Sequence, residues 1–147
     1  MITRALLENL NDIMKIENDC FGSDAFSRYQ IAYLITHSKG MFLIARHDGE
    51  IAGYISFITS RRHNTGRIYS IAVSPNHRGT GIADALMDES IGYALEKKLR
   101  AIFLEVRTDN TTAIKLYEKK GFAVHSVKQK YYKDGASAYG MTLRISD

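Results

Sequence analysis

Arg67-Ile68-Tyr69-Ser70-Ile71-Ala72-Val73, halted by Pro75 and followed by Arg78-Gly79-Thr80-Gly81-Ile82-Ala83, is the stretch whose reading decides the fold. It reads as a strand, a tight turn without bulky side chains, and the opening of a helix that runs to about Lys98. In that helix Ile82, Ala83, Leu86, Met87, Ser90, Tyr93 and Ala94 share one face and Asp84, Asp88 and Glu96 the other, so it is predicted to lie against a sheet. Ala101-Ile102-Phe103-Leu104-Glu105-Val106 follows as a near-continuous apolar strand. Strand, helix, strand makes a parallel crossover. Ligands in such sheets gather where a strand ends and a helix begins, beside unpaired backbone N–H groups.

Upstream, Met41–Ala45 and Ile51–Ile58 flank Asp48-Gly49 and form a hairpin. Before it come a short strand near Ile2 to Ala5, a helix capped by Asn9 that carries Leu10, Ile13, Ile16 and Cys20, and a second helix after Ser27 with Ile31, Leu34 and Ile35. Downstream, Asn110 opens a helix with Ala113, Ile114 and Tyr117 that ends at Gly121, and the tail alternates as two strands joined around Asp134-Gly135. The order is an α/β mixture, antiparallel in its front half with the crossover behind. The 147 residues, 45% hydrophobic and 24% charged, suit one globular domain spanning 1–147.

Composition narrows the function classes. One cysteine, Cys20, allows neither an internal disulfide nor a cysteine-rich zinc site, and it sits on the apolar face of the first helix, so a cytoplasmic protein and a packing role are expected. Met1-Ile2-Thr3-Arg4-Ala5-Leu6-Leu7-Glu8 reaches an acid before any long apolar core, and no stretch approaches the ~20 apolar residues of a membrane span, so neither secretion nor membrane insertion is expected. The five histidines have no metal-ligand spacing, so no metal is expected. The net charge of +4 suits an anionic ligand, with 20 bases and 16 acids interspersed. Arg61-Arg62-His63 and Lys97-Lys98-x-Arg100 read as solvated ends rather than a nucleic-acid surface, since no stacking platform accompanies them.

The glycine turn fails two phosphate-loop patterns. A P-loop needs a lysine that does not follow Gly81, and a dinucleotide fingerprint needs Gly or Ala where Asp84 stands. What survives is a glycine turn at a helix N-terminus that can take a pyrophosphate, with Arg78 adding charge; an ordinary turn with a solvated arginine is the alternative. Arg78-x-x-Gly81-x-Ala83 after this strand resembles the Gln/Arg-x-x-Gly-x-Gly/Ala motif of the GNAT N-acetyltransferases. Leu104-Glu105-Val106-Arg107, Asn110, Ala113, Leu116-Tyr117-Glu118, Gly121-Phe122, Tyr131-Tyr132, Asp134-Gly135 and Met141 extend the likeness, over residues 40 to 145, to the ribosomal-protein alanine and N-terminal acetyltransferase subfamily.

The resemblance implies a GNAT fold: a mixed, mostly antiparallel sheet of about seven strands flanked by about four helices. It implies acetyl-CoA as co-substrate, its pantetheine on Ile71, Ala72 and Val73 and its pyrophosphate on Arg78, Gly79, Thr80, Gly81, Ile82 and Ala83, with Asn110, Ala113 and Tyr117 toward the thioester.

Acetyl transfer to an amine needs a proton acceptor, oxyanion donors and an acid for the leaving thiolate. Glu105 is the sole acid in its apolar strand, and burial would raise its pKa; pairing with Arg107 at i+2 is the structural alternative. The resemblance makes Glu105 the general base and Tyr117 the general acid, where spacing alone allows a core aromatic. Backbone N–H groups around Ala72 and Val73 are the expected oxyanion donors, given a strand bulge. Tyr131-Tyr132 reads either as adjacent strand residues facing opposite sides or, by the resemblance, as a clamp on a peptide backbone.

The expected reaction is acetylation of a protein N-terminus, a ribosomal protein among the possibilities, by direct attack in a ternary complex. A small-molecule amine, a lysine side chain and a non-catalytic CoA-binding module are the alternatives. Ala136-Ser137 and Gly22-Ser23-Asp24-Ala25-Phe26 depart from the subfamily pattern, and both fall on its acceptor side.

Overall fold

The computed structural model describes residues 1–37 and 39–146. The elements run β1 (Ile2–Arg4), α1 (Leu10–Phe21), α2 (Arg28–His37), β2 (Gly40–His47), β3 (Glu50–Ser60), β4 (Thr65–Val73), α3 (Ile82–Glu96), β5 (Ala101–Arg107), α4 (Thr111–Lys119), β6 (Ala123–Lys128) and β7 (Ala138–Arg144). This is an α/β fold with a mixed seven-stranded sheet in the order β1-β2-β3-β4-β5-β7-β6. The β4–β5 pair is parallel, joined through α3 as the sequence predicts, and the pairs β1–β2, β2–β3, β5–β7 and β6–β7 are antiparallel. The chain resolves into two compact units: Met1–Ile58 with Ile68–Ser90, and Thr59–Arg67 with the residues from Ile91 onward. Among the described residues no helix is long and apolar enough to cross a membrane.

In the first unit, Asp48 and Gly49 both take positive φ, 52° and 81°, as a two-residue turn matched to strand twist requires, and His47 pairs with Glu50 across it. Ile13 of α1, Ile31 of α2, and Ile44 and Tyr54 of the hairpin are almost fully buried together. Each such side chain contributes roughly 1.5–3 kcal/mol over leaving it in water. Asn9 stands at the start of α1, but its Oδ1 accepts the N–H of Leu6 at 2.8 Å instead of capping the helix, because a short 3-10 turn at Leu7–Asn9 precedes α1 and takes the side chain. α2 carries a reciprocal cap: Ser27 Oγ accepts the Gln30 N–H and Gln30 Oε1 accepts the Ser27 N–H.

In the second unit, β5 alternates: Ile102, Leu104 and Val106 are buried, while Phe103, Glu105 and Arg107 are half-buried on the opposite face. One face of β5 therefore remains partly open. β7 inserts between β5 and β6 and places Gly140 opposite Glu105. α4 is capped by Asn110, whose Oδ1 accepts the Ala113 N–H at 3.2 Å, and stops at Gly121, where φ is +100°. The connection from β6 to β7 is residues 129–137, closed by Gly135 N–H to the Tyr132 carbonyl at 2.9 Å. Tyr131 and Tyr132 lie in this connection and not in a strand, which corrects the reading of them as strand neighbours facing opposite sides.

Candidate active site

The residues singled out in the sequence fall into two groups, one in each unit. In the first, Ile71, Ala72 and Val73 end β4, and Ala72 is buried. The ladder from β4 to β5 covers only Thr65, Gly66 and Arg67. Beyond Val73 the chain turns through Pro75–His77 into Arg78–Gly81. Gly79 and Gly81 have φ of +79° and +82°, where L side chains are strained, and a Cβ built on either meets nothing within 4 Å. The glycines thus serve the backbone path, and the space over the turn is open. The N–H groups of Ile82, Ala83 and Asp84 precede the first helical bond, from Ala85 N–H to the Gly81 carbonyl. Open space, a glycine backbone and a helix N-terminus fit a pyrophosphate.

Arg78 does not reach outward over this turn. Its Nε donates to the Val73 carbonyl at 3.3 Å and its Nη2 to Cys20 Sγ at 3.4 Å, while Cys20 Sγ donates to the same carbonyl at 3.4 Å. Burial pushes the Cys20 thiol up, with Arg78 acting against it. Cys20 packs against the core as the sequence indicates, and it also ties α1 to the end of β4.

In the second unit, Glu105 has a side chain only 11% exposed, and both its oxygens are taken: Oε1 by the Arg67 guanidinium from β4, Oε2 by Lys128 Nζ from β6 at 3.0 Å. Arg107, the expected alternative partner, turns away to Asp109 at 3.2 Å and to Asp134 at 2.7 Å. The Arg107 guanidinium holds the Asp134 carboxyl below the ordinary carboxylate range, and Asp134 in turn raises the guanidinium. A carboxyl shifted down favours the folded state above its unfolded value of 3.8, so this strap is complete near neutrality and is lost only as acid protonates Asp134.

Arg107 also lies 5.0 Å from the Tyr132 ring centroid, and Lys128 Nζ lies 5.5 Å from that of Tyr131. The two tyrosine rings meet edge to face at 5.0 Å. Tyr117 is buried against Phe122, and burial raises its phenol well above the ordinary tyrosine range, which keeps the proton on the oxygen. Asn110 stands at the N-cap of α4, with its Oδ1 accepting the Ala113 N–H.

Three features escaped the sequence reading. Arg67 and Lys128 are remote in sequence from Glu105 and carry no local signal. Glu17 did have one: with Ile13 and Cys20 it falls at i, i+4 and i+7 of the apolar stripe of α1. It is 1% exposed and accepts from Tyr54 Oη, Ser70 Oγ at 3.0 Å and the Phe26 N–H at 2.9 Å, joining α1, β3, β4 and the segment before α2.

Residues 10–122 match the acetyltransferase (GNAT) family. The chain is similar to an N-alpha-acetyltransferase of Sulfurisphaera tokodaii, 34% identical with 98% of this chain and 92% of that protein covered. It is 30% identical to the catalytic subunit of the N-terminal acetyltransferase A complex of Arabidopsis thaliana, over 98% of this chain and 77% of that one. The crystal structure of the ribosomal-protein-S18-alanine N-acetyltransferase from Escherichia coli superposes with a TM-score of 0.89 at 25% identity, covering 100% of this chain and 94% of that one.

Proposed function

The chain belongs to the acetyltransferase (GNAT) family, and from that premise we propose that this acetyl-CoA-dependent N-acetyltransferase acts on the α-amino group of a protein or peptide N-terminus, in the cytoplasm. The family match runs through both units, so we read residues 1–147 as one catalytic domain. The observation that carries the acceptor class is the grouping on β5, β6 and the 129–137 connection, where a sequestered carboxylate shares Lys128 with a pair of tyrosines. An α-amine, whose pKa is about 7.7–8.0, sheds its proton to a carboxylate more readily than a lysine near about 10.4.

In this reading the amine nitrogen attacks the thioester carbonyl, a C–N bond forms and the C–S bond breaks. Glu105 accepts the proton the amine sheds, and Tyr117 gives its phenolic proton to the departing thiolate. Backbone N–H groups near Ala72 and Val73 steady the oxyanion, Ile71 to Val73 bind the pantetheine, and the backbone of Arg78, Gly79, Thr80, Gly81, Ile82 and Ala83 holds the pyrophosphate. Asn110 and Ala113 border the thioester end, and Tyr131 and Tyr132 hold the acceptor backbone.

The test is a peptide library, with lysines blocked or free, incubated with acetyl-CoA and read by mass spectrometry. Acetyl groups are expected on free N-termini in both sets. Efficient acetylation of lysines or a polyamine with N-termini untouched would overturn the acceptor assignment.

A further inference from the structure

The two cations on Glu105 are held differently. Arg67 extends from the part of β4 that is laddered to β5, its residue paired with Phe103. Lys128 is the last residue of β6, 41% exposed at its side chain, and its ammonium touches two things at once: Glu105 Oε2 at 3.0 Å and the face of Tyr131. From Tyr131 the contacts continue to Tyr132, and from Tyr132 to the Arg107 guanidinium, two residues beyond Glu105 on the same face of β5. Glu105, Lys128, Tyr131, Tyr132 and Arg107 therefore form a ring closed through the β5 backbone, and Asp134 pins it at Arg107.

We propose that Lys128 is a positioning residue for acetyl transfer: its ammonium fixes the Glu105 carboxylate and the Tyr131 ring relative to each other. The proposal rests on the reading of Glu105 as base and of the tyrosines as acceptor contacts. Lys128 is suited to the part because an ammonium donates in several directions, satisfying a carboxylate and a π face together. The charged and titratable groups facing Glu105 are Arg67 from β4, Lys128 and His125 from β6, and Arg107 along β5. β7 presents only Gly140 there, where the His125 Nε2, 2.9 Å from a built Cβ, and Ser126 leave no room for a side chain. His125 is engaged with Thr142 Oγ1 at 2.6 Å, and Lys128 is the cation that joins Glu105 to the Tyr131 ring.

The test compares wild type with Lys128→Met, which keeps the stem and removes the charge, and Lys128→Arg, which keeps the charge. Circular dichroism checks that each is folded. Two readouts are taken: kcat and KM for a peptide N-terminus, and the KM for acetyl-CoA. In Lys128→Met the peptide KM is expected to rise severalfold and kcat to fall, because the carboxylate and the Tyr131 ring lose the ammonium that holds both, with the acetyl-CoA KM unchanged. Lys128→Arg should restore both peptide parameters. Unchanged peptide kcat and KM in Lys128→Met, or a loss that Lys128→Arg does not restore, overturns the proposal. A full kcat in Glu105→Gln shows instead that Glu105 is not the base, and that reading falls together with the catalytic part given to Lys128.

Discussion

Tyr117 combines two properties that rarely coincide on a helix surface: it sits deep enough for burial to keep its proton in place, and it is one of the residues assigned to the chemistry. Tyr117→Phe keeps the ring against Phe122 and removes only the hydroxyl. Turnover is expected to fall ~10²- to 10⁴-fold, the usual worth of general acid catalysis, with acetyl-CoA affinity by calorimetry little changed. A loss under about threefold, with chemistry rate-limiting, would leave the residue a packing aromatic. Glu17 shows a different pattern, a carboxylate 1% exposed with three donors aimed at it. Glu17→Gln turns an amide NH₂ toward one of those donors, so denaturant unfolding should show a loss on the order of 1–3 kcal/mol. Unchanged stability would mean that the buried network rearranges freely.

At the scale of elements, the turn into α3 depends on two left-handed glycines with open space above them. Gly81→Val therefore fails through the backbone and not through a clash: a β-branched residue at φ near +82° costs roughly 1–3 kcal/mol in thermal unfolding, and the open space proposed for pyrophosphate is filled. Acetyl-CoA affinity should drop by roughly tenfold or more, about 1.4 kcal/mol, in a variant that still folds. Full affinity in the folded variant would remove the pyrophosphate from this turn. The connection 129–137 shows how an element is placed by its anchors. Arg107–Asp134 together with Thr108 N–H to the Ser137 carbonyl fasten it to the end of β5.

For the whole molecule, the acceptor is what the tyrosine pair should decide. Replacing Tyr131 and Tyr132 together by Phe keeps the edge-to-face rings and removes two hydroxyls, so KM should rise far more for a peptide N-terminus than for a minimal amine. Equal effects on both acceptors would take the pair out of peptide recognition. The strand–turn–helix at 67–83, the Asp48-Gly49 hairpin, the Asn110 cap and the Gly121 stop were legible in the sequence because each depends on residues a few positions apart, where side-chain period and positive-φ chemistry leave their mark. The choice of the Arg78–Ala83 turn rested on a motif of the same short range, and that of Glu105 and Tyr117 on the family resemblance over residues 40 to 145. Which strand neighbours which, the insertion of β7 between β5 and β6, and the partners of Glu105 at separations of 38 and 23 residues were decided only by the tertiary structure. A carboxylate in a strand carries no mark of the charge that another strand will bring to it; that pairing exists only once the sheet register has set Arg67 and Lys128 on the same face.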